Sequence, residues 1–245
     1  MVNDKKTAYT IEELSDSRFD FAHQEIIDNL LNDSIDDFVK IFSIINLEAF
    51  ESKDDIFALI KNLTNHPTPI REAAALKLEE LYQDEYYDNK IKDIILSAII
   101  DINPNVCRAV CLMISKSLLL KQELLNDLIL RINQLLIQIN ENNLQLGGFY
   151  EDESKIRKNH AKNKKLFSLY WYLEALSFCN CNKNNSEVLE ILKQTIKFND
   201  YTIREKTVKV LVKLDNPPND LLQIAKRDQN FYVKNQVYDK INIED

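Results

Sequence analysis

Glycine is almost absent, with 2 residues in a chain of 245. Proline is scarce too, at 5, and tryptophan occurs once. A sheet protein of this length reverses direction many times and uses glycine and proline to do it. Their scarcity predicts helices joined by tight polar turns. Long apolar runs are missing as well. None approaches the roughly 20 residues that span a bilayer, so no membrane contact is expected. The opening stretch MVNDKKTAYTIEELSD lacks the apolar centre of a secretory signal, and the expected location is cytoplasmic. No P-loop, GxGxxG, HExxH or Ser-His-Asp pattern is present. No catalytic residue is assigned, and no cofactor.

Basic residues fall short of acidic ones, 31 against 39, for a net charge of −8. Such a surface disfavours unspecific nucleic-acid binding. The imbalance is uneven. Residues 1–154 hold 14 Lys+Arg and 28 Asp+Glu, a net −14. Residues 155–213 hold 13 and 5, a net +8, and residues 214–245 hold 4 and 6, a net −2. The four cysteines are Cys107, Cys111, Cys179 and Cys181. With His160 they could be imagined around zinc, but no CxxC…CxxC spacing exists. They read as small buried thiols of a reducing compartment, and no metal site is assigned. His23 and His66 stand alone, the latter in a turn.

What is abundant is helical periodicity, and 45% of the residues are hydrophobic, enough for a substantial core. Residues 1–17 are polar and read as a loosely docked segment. Phe21, Ile26, Ile27, Leu30 and Leu31 mark a first helix. Ser34 with Asp37 suggests a capping box before a partner helix carrying Ile35, Phe38, Val39, Phe42 and Ile45. Ile56, Leu59, Ile60 and Leu63 precede a turn at 65–69. There Thr68 is the expected N-cap and Pro69 the first helical residue, followed by Ile70, Ala73, Ala74, Lys77 and Leu78. Ile91, Ile94, Ile95, Ala98, Ile99 and Ile102 keep one face. Asn103 and Pro104 then open a helix with Val106, Ala109, Val110, Met113 and Ile114. The apolar positions from Leu124 to Ile139 make the longest helix. Leu166 to Leu176, Val188 to Ile196, and Ile203 to Leu214 follow, the last behind an expected Thr202/Glu205 capping box. Pro217 starts a final pair that ends near Ile241.

One motif recurs. NHPTPIREAAALKLEEL from Asn65 is echoed by DINPNVCRAVCLMI from Asp101, FNDYTIREKTVKVL from Phe198 and RDQNFYVKNQVYDKI from Arg227. The first core residues of the second helices are Ile70, Val106, Leu166, Ile203 and Val233, spaced 36, 60, 37 and 30 residues apart. Three steps match one helical hairpin each. The long step exceeds a repeat by about the polar stretch 141–163, which is expected as an inserted loop holding both glycines, Gly147 and Gly148.

This pattern resembles HEAT repeats, an armadillo-like helical family, over residues 18–242. The pairs Ile70-Arg71, Ile203-Arg204 and Val233-Lys234 fit its second-helix start, while Val106-Cys107 has its arginine one place late and Leu166-Phe167 lacks it. The resemblance implies an all-α fold: a right-handed α-solenoid of about six antiparallel helix pairs in one domain over 18–245. It also implies that the basic residues pair with turn Asp or Asn side chains as a structural ladder. Shape, not activity, is what such a motif specifies.

Two features point beyond shape. KIRKNHAKNKK, Lys155 to Lys165, follows an acidic triplet and carries no acid itself. Lys155, Arg157, Lys158, Lys162, Lys164 and Lys165 could attract an acidic partner, or simply keep a loop solvated. Beside them lies Trp171, between Tyr170 and Tyr172. It is either an exposed contact residue or packed on the inserted loop. The expected function is a monomeric, non-enzymatic scaffold or adaptor that binds a protein partner. Two further readings rest on family likeness alone: a phycobilin lyase-like chromophore chaperone, and a DNA-alkylation-repeat protein using Trp171 and Glu174.

Overall fold

The computed structural model describes residues 22–141 and 153–241; side chains at 140–141, 153–162, 183–185 and 239–241 are not described. The described residues are helical, with no strand among them. Thirteen α-helices follow in order. They are α1 His23–Leu31, α2 Asp37–Asn46, α3 Lys53–Lys61, α4 Thr68–Leu81, α5 Asn89–Ala98, α6 Pro104–Lys116 and α7 Leu118–Glu123. Then come α8 Leu125–Glu141, α9 Glu153–Leu176, α10 Asn185–Thr195, α11 Tyr201–Leu211, α12 Asn219–Lys226 and α13 Phe231–Ile241. No described helix is long and apolar enough to cross a membrane.

The helix starts are built from side-chain acceptors that meet the first free N–H groups. Asn103 accepts from the Asn105 N–H at 3.0 Å, and Pro104 opens α6, both as expected. Ser52 and Asp55 form a reciprocal capping box on α3. Three expected caps move. Asp36, not Ser34, caps α2 through the Phe38 N–H at 2.9 Å. Pro67 precedes α4, so Thr68 is already helical. Asp200, not Thr202, caps α11, taking the Thr202 N–H at 2.9 Å and its hydroxyl at 2.7 Å. In the glycine-free turn before α4, Asn65 adopts φ 61°; asparagine tolerates this left-handed region better than most residues.

Helices pack as consecutive partners: α1 on α2, α3 on α4, α5 on α6, α8 on α9, α10 on α11 and α12 on α13. The second members also pack in a row, α2–α4–α6–α9–α11–α13. One apolar core runs through all of them, from Ile26 to Val237. Val106, Val110, Ile203 and Leu211 are buried as the phase demands. Ala73 is only partly buried, packed against the core, because Ala74 and Ala75 take the inward positions. Ile102 lies past the end of α5 and is 85% exposed.

Two rungs tie neighbouring turns in this row. Arg71 of α4 donates to Asp101 through Nε at 2.7 Å and Nη2 at 3.0 Å. Arg204 of α11 repeats the arrangement on Asp228, at 2.6 and 3.0 Å. Each arginine also donates to carbonyls of its own turn, at His66 and at Phe198 and Asn199. In turn Asp101 and Asp228 accept the N–H of Asn103 and Asn230. Cys107 holds the arginine's place on α6, and its thiol meets the Asp101 carbonyl at 3.1 Å.

The first helices depart from the expected phase. On α2 the buried residues are Lys40, Ser43 and Ile44, while Phe38 and Ile45 are exposed and Val39 and Phe42 are half-buried; Ile35 precedes the helix and is half-buried too. Packing against both α1 and α4 selects this face. Burial lowers the pKa of Lys40; its ammonium donates to the Leu30 carbonyl at 3.2 Å. Asn62 donates to that carbonyl at 3.1 Å and to Ala58 at 2.8 Å. One carbonyl at the end of α1 thus binds side chains from α2 and from the residue after α3.

Candidate functional site

The basic block and the aromatic run belong to one element. The stretch 141–163, expected as a loop, is helical from Glu153 onward, and 142–152 lie outside the described residues. Lysine, arginine and alanine are good helix formers; what the first half of α9 lacks is an apolar face, and that absence reads as a loop. Lys155, Arg157, Lys158 and Lys162 sit on this helix, their side chains outside the described residues, as is that of His160. Lys164 is exposed and Lys165 half-buried.

The second half of α9 turns inward. Trp171 is 8% exposed and Tyr172 3%, with the Tyr172 hydroxyl 3.4 Å from the Leu96 carbonyl that accepts it. Of the three consecutive aromatics, Tyr170 alone keeps partial exposure. Trp171 is therefore not an exposed contact residue. Its indole N–H has no acceptor among the described residues. Phe167 and Tyr170 stand edge-on to it, at 6.3 Å and 69° and at 5.1 Å and 86°.

Between α9 and the start of α11 lies an open cleft of about 440 Å³. Asn163, Leu166, Phe167, Tyr170 and Trp171 line it from α9, and Asp200 and Thr202 from the α11 cap. Their spacing is i, i+3, i+4, i+7, i+8, a single helical stripe. A smaller cleft of about 170 Å³ lies between α3 and α5, at Phe57 and Ile91.

Farther along, Glu174 on α9 meets a column of lysines on α11. Its Oε1 accepts from Lys209 at 2.5 Å. Its Oε2 lies 3.2 Å from the Lys206 ammonium, close enough for an ion pair but without hydrogen-bond alignment. Lys206 also stands 4.8 Å over the Tyr170 ring, and Lys209 and Lys213 sit 4.9 and 4.8 Å from the Phe178 ring. Burial pushes the Glu174 carboxyl up, but Lys209 and Lys206 together hold it below its ordinary value. Burial pulls the Lys206 ammonium down, and Glu174, Tyr170 and Glu205 together more than restore it. Lys213 is lowered, by burial and by Lys209. Glu174 thus serves two ammonium groups, Glu205 lies 3.5 Å from Lys206, Lys213 donates to the Ser177 carbonyl at 2.7 Å, and aromatic faces take part of the excess.

The cysteines are buried, and burial pushes the thiols of Cys107, Cys179 and Cys181 up to about 12. Burial raises the Cys111 thiol as well, and Glu174 adds to the rise. Thiols held this way are poor nucleophiles.

No family model matches the chain, and no curated protein matches it. Among solved structures, one similar chain is an engineered protein with 10% sequence identity and a TM-score of 0.35. The match covers 90% of this chain and 87% of that one. A likeness this slight carries neither a detailed fold nor a function.

Proposed function

We propose that this chain is a HEAT-like, right-handed α-solenoid of six antiparallel hairpins that serves as a non-enzymatic scaffold for an acidic protein partner. The six packed pairs and the row of second helices support the array. The two arginine–aspartate rungs support the HEAT likeness, since they are the ladder that the resemblance implies. The partner reading rests on one observation. Of the net +8 of residues 155–213, +5 falls on α9 and +2 on α11, which also border the larger cleft, in a chain of net −8. Opposite charge raises the rate of capture more than it lengthens residence. A DNA-lesion reading is weaker, because Glu174 is engaged by two lysines and Trp171, though it lines the cleft, is only 8% exposed.

The test replaces Lys155, Arg157, Lys158, Lys162, Lys164 and Lys165 together by Gln. A partner obtained by pull-down from the native source is then mixed with parent and variant in stopped flow. The variant should associate ~10-fold or more slowly at low salt, and the gap should shrink as salt shortens the Debye length to about 8 Å. Equal rates at low salt would reduce the basic block to a solvated surface.

A further inference from the structure

We propose that the cleft between α9 and α11 seats one apolar side chain of the acidic segment that the surrounding lysines attract. This rests on the acidic-partner reading and adds to it the anchor that sets residence time.

The cleft has the size of a ligand site, in the lower part of the ~300–1,000 Å³ range such sites occupy. Four of its seven lining residues are Leu166, Phe167, Tyr170 and Trp171. Phe167 and Tyr170 are half-buried, so ring surface remains open to an incoming group. Both are braced edge-on against Trp171, which the core holds at 8% exposure. A wall of rigid rings gains contact area with little side-chain entropy to lose. Residues of this kind dominate binding energy when water is excluded around them. The same wall residue carries an indole N–H without an acceptor among the described residues.

The rim selects the charge of what enters. Lys164 is exposed and Lys165 half-buried on α9, beside the cleft residues Asn163 and Leu166. Lys206, on the Tyr170 ring, is buried and already paired with Glu174 and Glu205, so among the described residues the free cations of the rim are Lys164 and Lys165. Among the lining residues the one carboxylate is Asp200, which keeps its charge and accepts from the Thr202 N–H and hydroxyl on the α11 side, away from the lysines of α9. A cationic anchor would face these ammonium groups, while an anchor flanked by Asp and Glu would be drawn in by them.

Trp171 is the only tryptophan, so its fluorescence reports the cleft directly. The probe is a short capped peptide of Glu and Asp with one central Leu. Two companions carry Ala in place of the Leu, or Gln in place of every acid. The Leu peptide should change Trp171 emission saturably at low salt. The Ala peptide should bind ~10-fold or more weakly, as expected for an isobutyl group buried or not. In the protein, Asn163→Phe should fill the mouth from an exposed position and bring the Leu peptide down to the level of the Ala peptide. Its melting temperature should match the parent's. If the Leu and Ala acidic peptides bind equally, the anchor is overturned while the electrostatic dock stands. If the Gln–Leu peptide binds as well as the acidic one, the anchor stands and the acidic reading falls. If none alters the emission, both fall. Emission that changes on dilution of the protein alone, in step with dissociation by sedimentation, would show a second copy in the cleft and overturn the proposal.

Discussion

At the junction of α4 and α6, two cations each meet one carboxylate, and a third carboxylate, Glu72, accepts from the Asn103 and Asn105 amides. Arg71 grips Asp101 with two N–H bonds, and Lys116 meets Glu79. At the junction of α9 and α11, three lysines gather around two carboxylates: Glu174 pairs with Lys206 and Lys209, Glu205 lies 3.5 Å from Lys206, and Lys213 just beyond donates to the Ser177 carbonyl. The rings of Tyr170 and Phe178 take up the surplus. Both junctions join second helices in the same row. The first is satisfied internally and projects little field. The second holds three ammonium groups against two carboxylates, with Lys213 exposed, and that excess leaves attraction to spend on a partner.

Four changes test that contrast, from the strongest expected effect down. Val110 of α6 is 1% exposed in the matched junction. Val110→Asp would bury a charge without a partner and should cost ~3–5 kcal/mol in denaturant unfolding. A midpoint that does not move would remove α6 from the core.

Next come the rungs. Arg71→Met and Arg204→Met each leave a poorly exposed carboxylate unpaired and should cost ~1–3 kcal/mol. Lys206→Met should cost less, since Glu174 keeps Lys209 and the methionine still packs on Tyr170. Equal losses at Arg71 and Lys206 in chemical denaturation would erase the difference between the junctions.

Acid should separate the carboxylates by what removing each one does. Arg204 holds the Asp228 carboxyl below its ordinary value. Glu174 is also lowered, with burial opposing and Lys209 and Lys206 prevailing. A carboxylate whose pKa is depressed by folding adds stability above its unfolded value, and that stability is lost as pH falls through the folded value. Melting temperature should therefore drop below about pH 4, and Asp228→Asn and Glu174→Gln should each flatten the drop while lowering stability near neutrality. A parallel curve for either variant would show that its carboxylate is not linked to folding.

The smallest effect on stability is expected from the six-residue Gln replacement of the basic block, ~0.5 kcal/mol or less. Its consequence should appear in association kinetics instead. A clear fall in melting temperature would mean that the block holds the fold together.

Most helices were legible from apolar spacing, because each buries one stripe against a neighbour. Val106, Val110, Ile203 and Leu211 follow it faithfully. Caps were harder. Asp36 lies inside the expected Ser34–Asp37 pattern and Asp200 two residues before the expected Thr202–Glu205 pattern, and a carboxylate reaching the i+2 N–H leaves no longer signature. Phase failed on α2, where Lys40 goes inward because a carbonyl awaits it there. Periodicity cannot foresee such an acceptor from another helix. The first half of α9 was hidden for the opposite reason, being polar all round. The cleft was half visible: Trp171 and the basic block drew attention to α9, but Asp200 and Thr202 come to it only through packing of α9 on α11.

The Leu30 carbonyl, shared by Lys40 and Asn62, bears on how the molecule breathes. Opening α1 alone would strand a buried ammonium and a buried amide, each at the cost of an unmade bond. Separating α3 alone would strand the same amide. The cheaper fluctuation is for α1, α2 and α3 to loosen as a unit. In native-state hydrogen exchange, the backbone amides of these three helices should therefore share one opening free energy, and Asn62→Ala should split it into two.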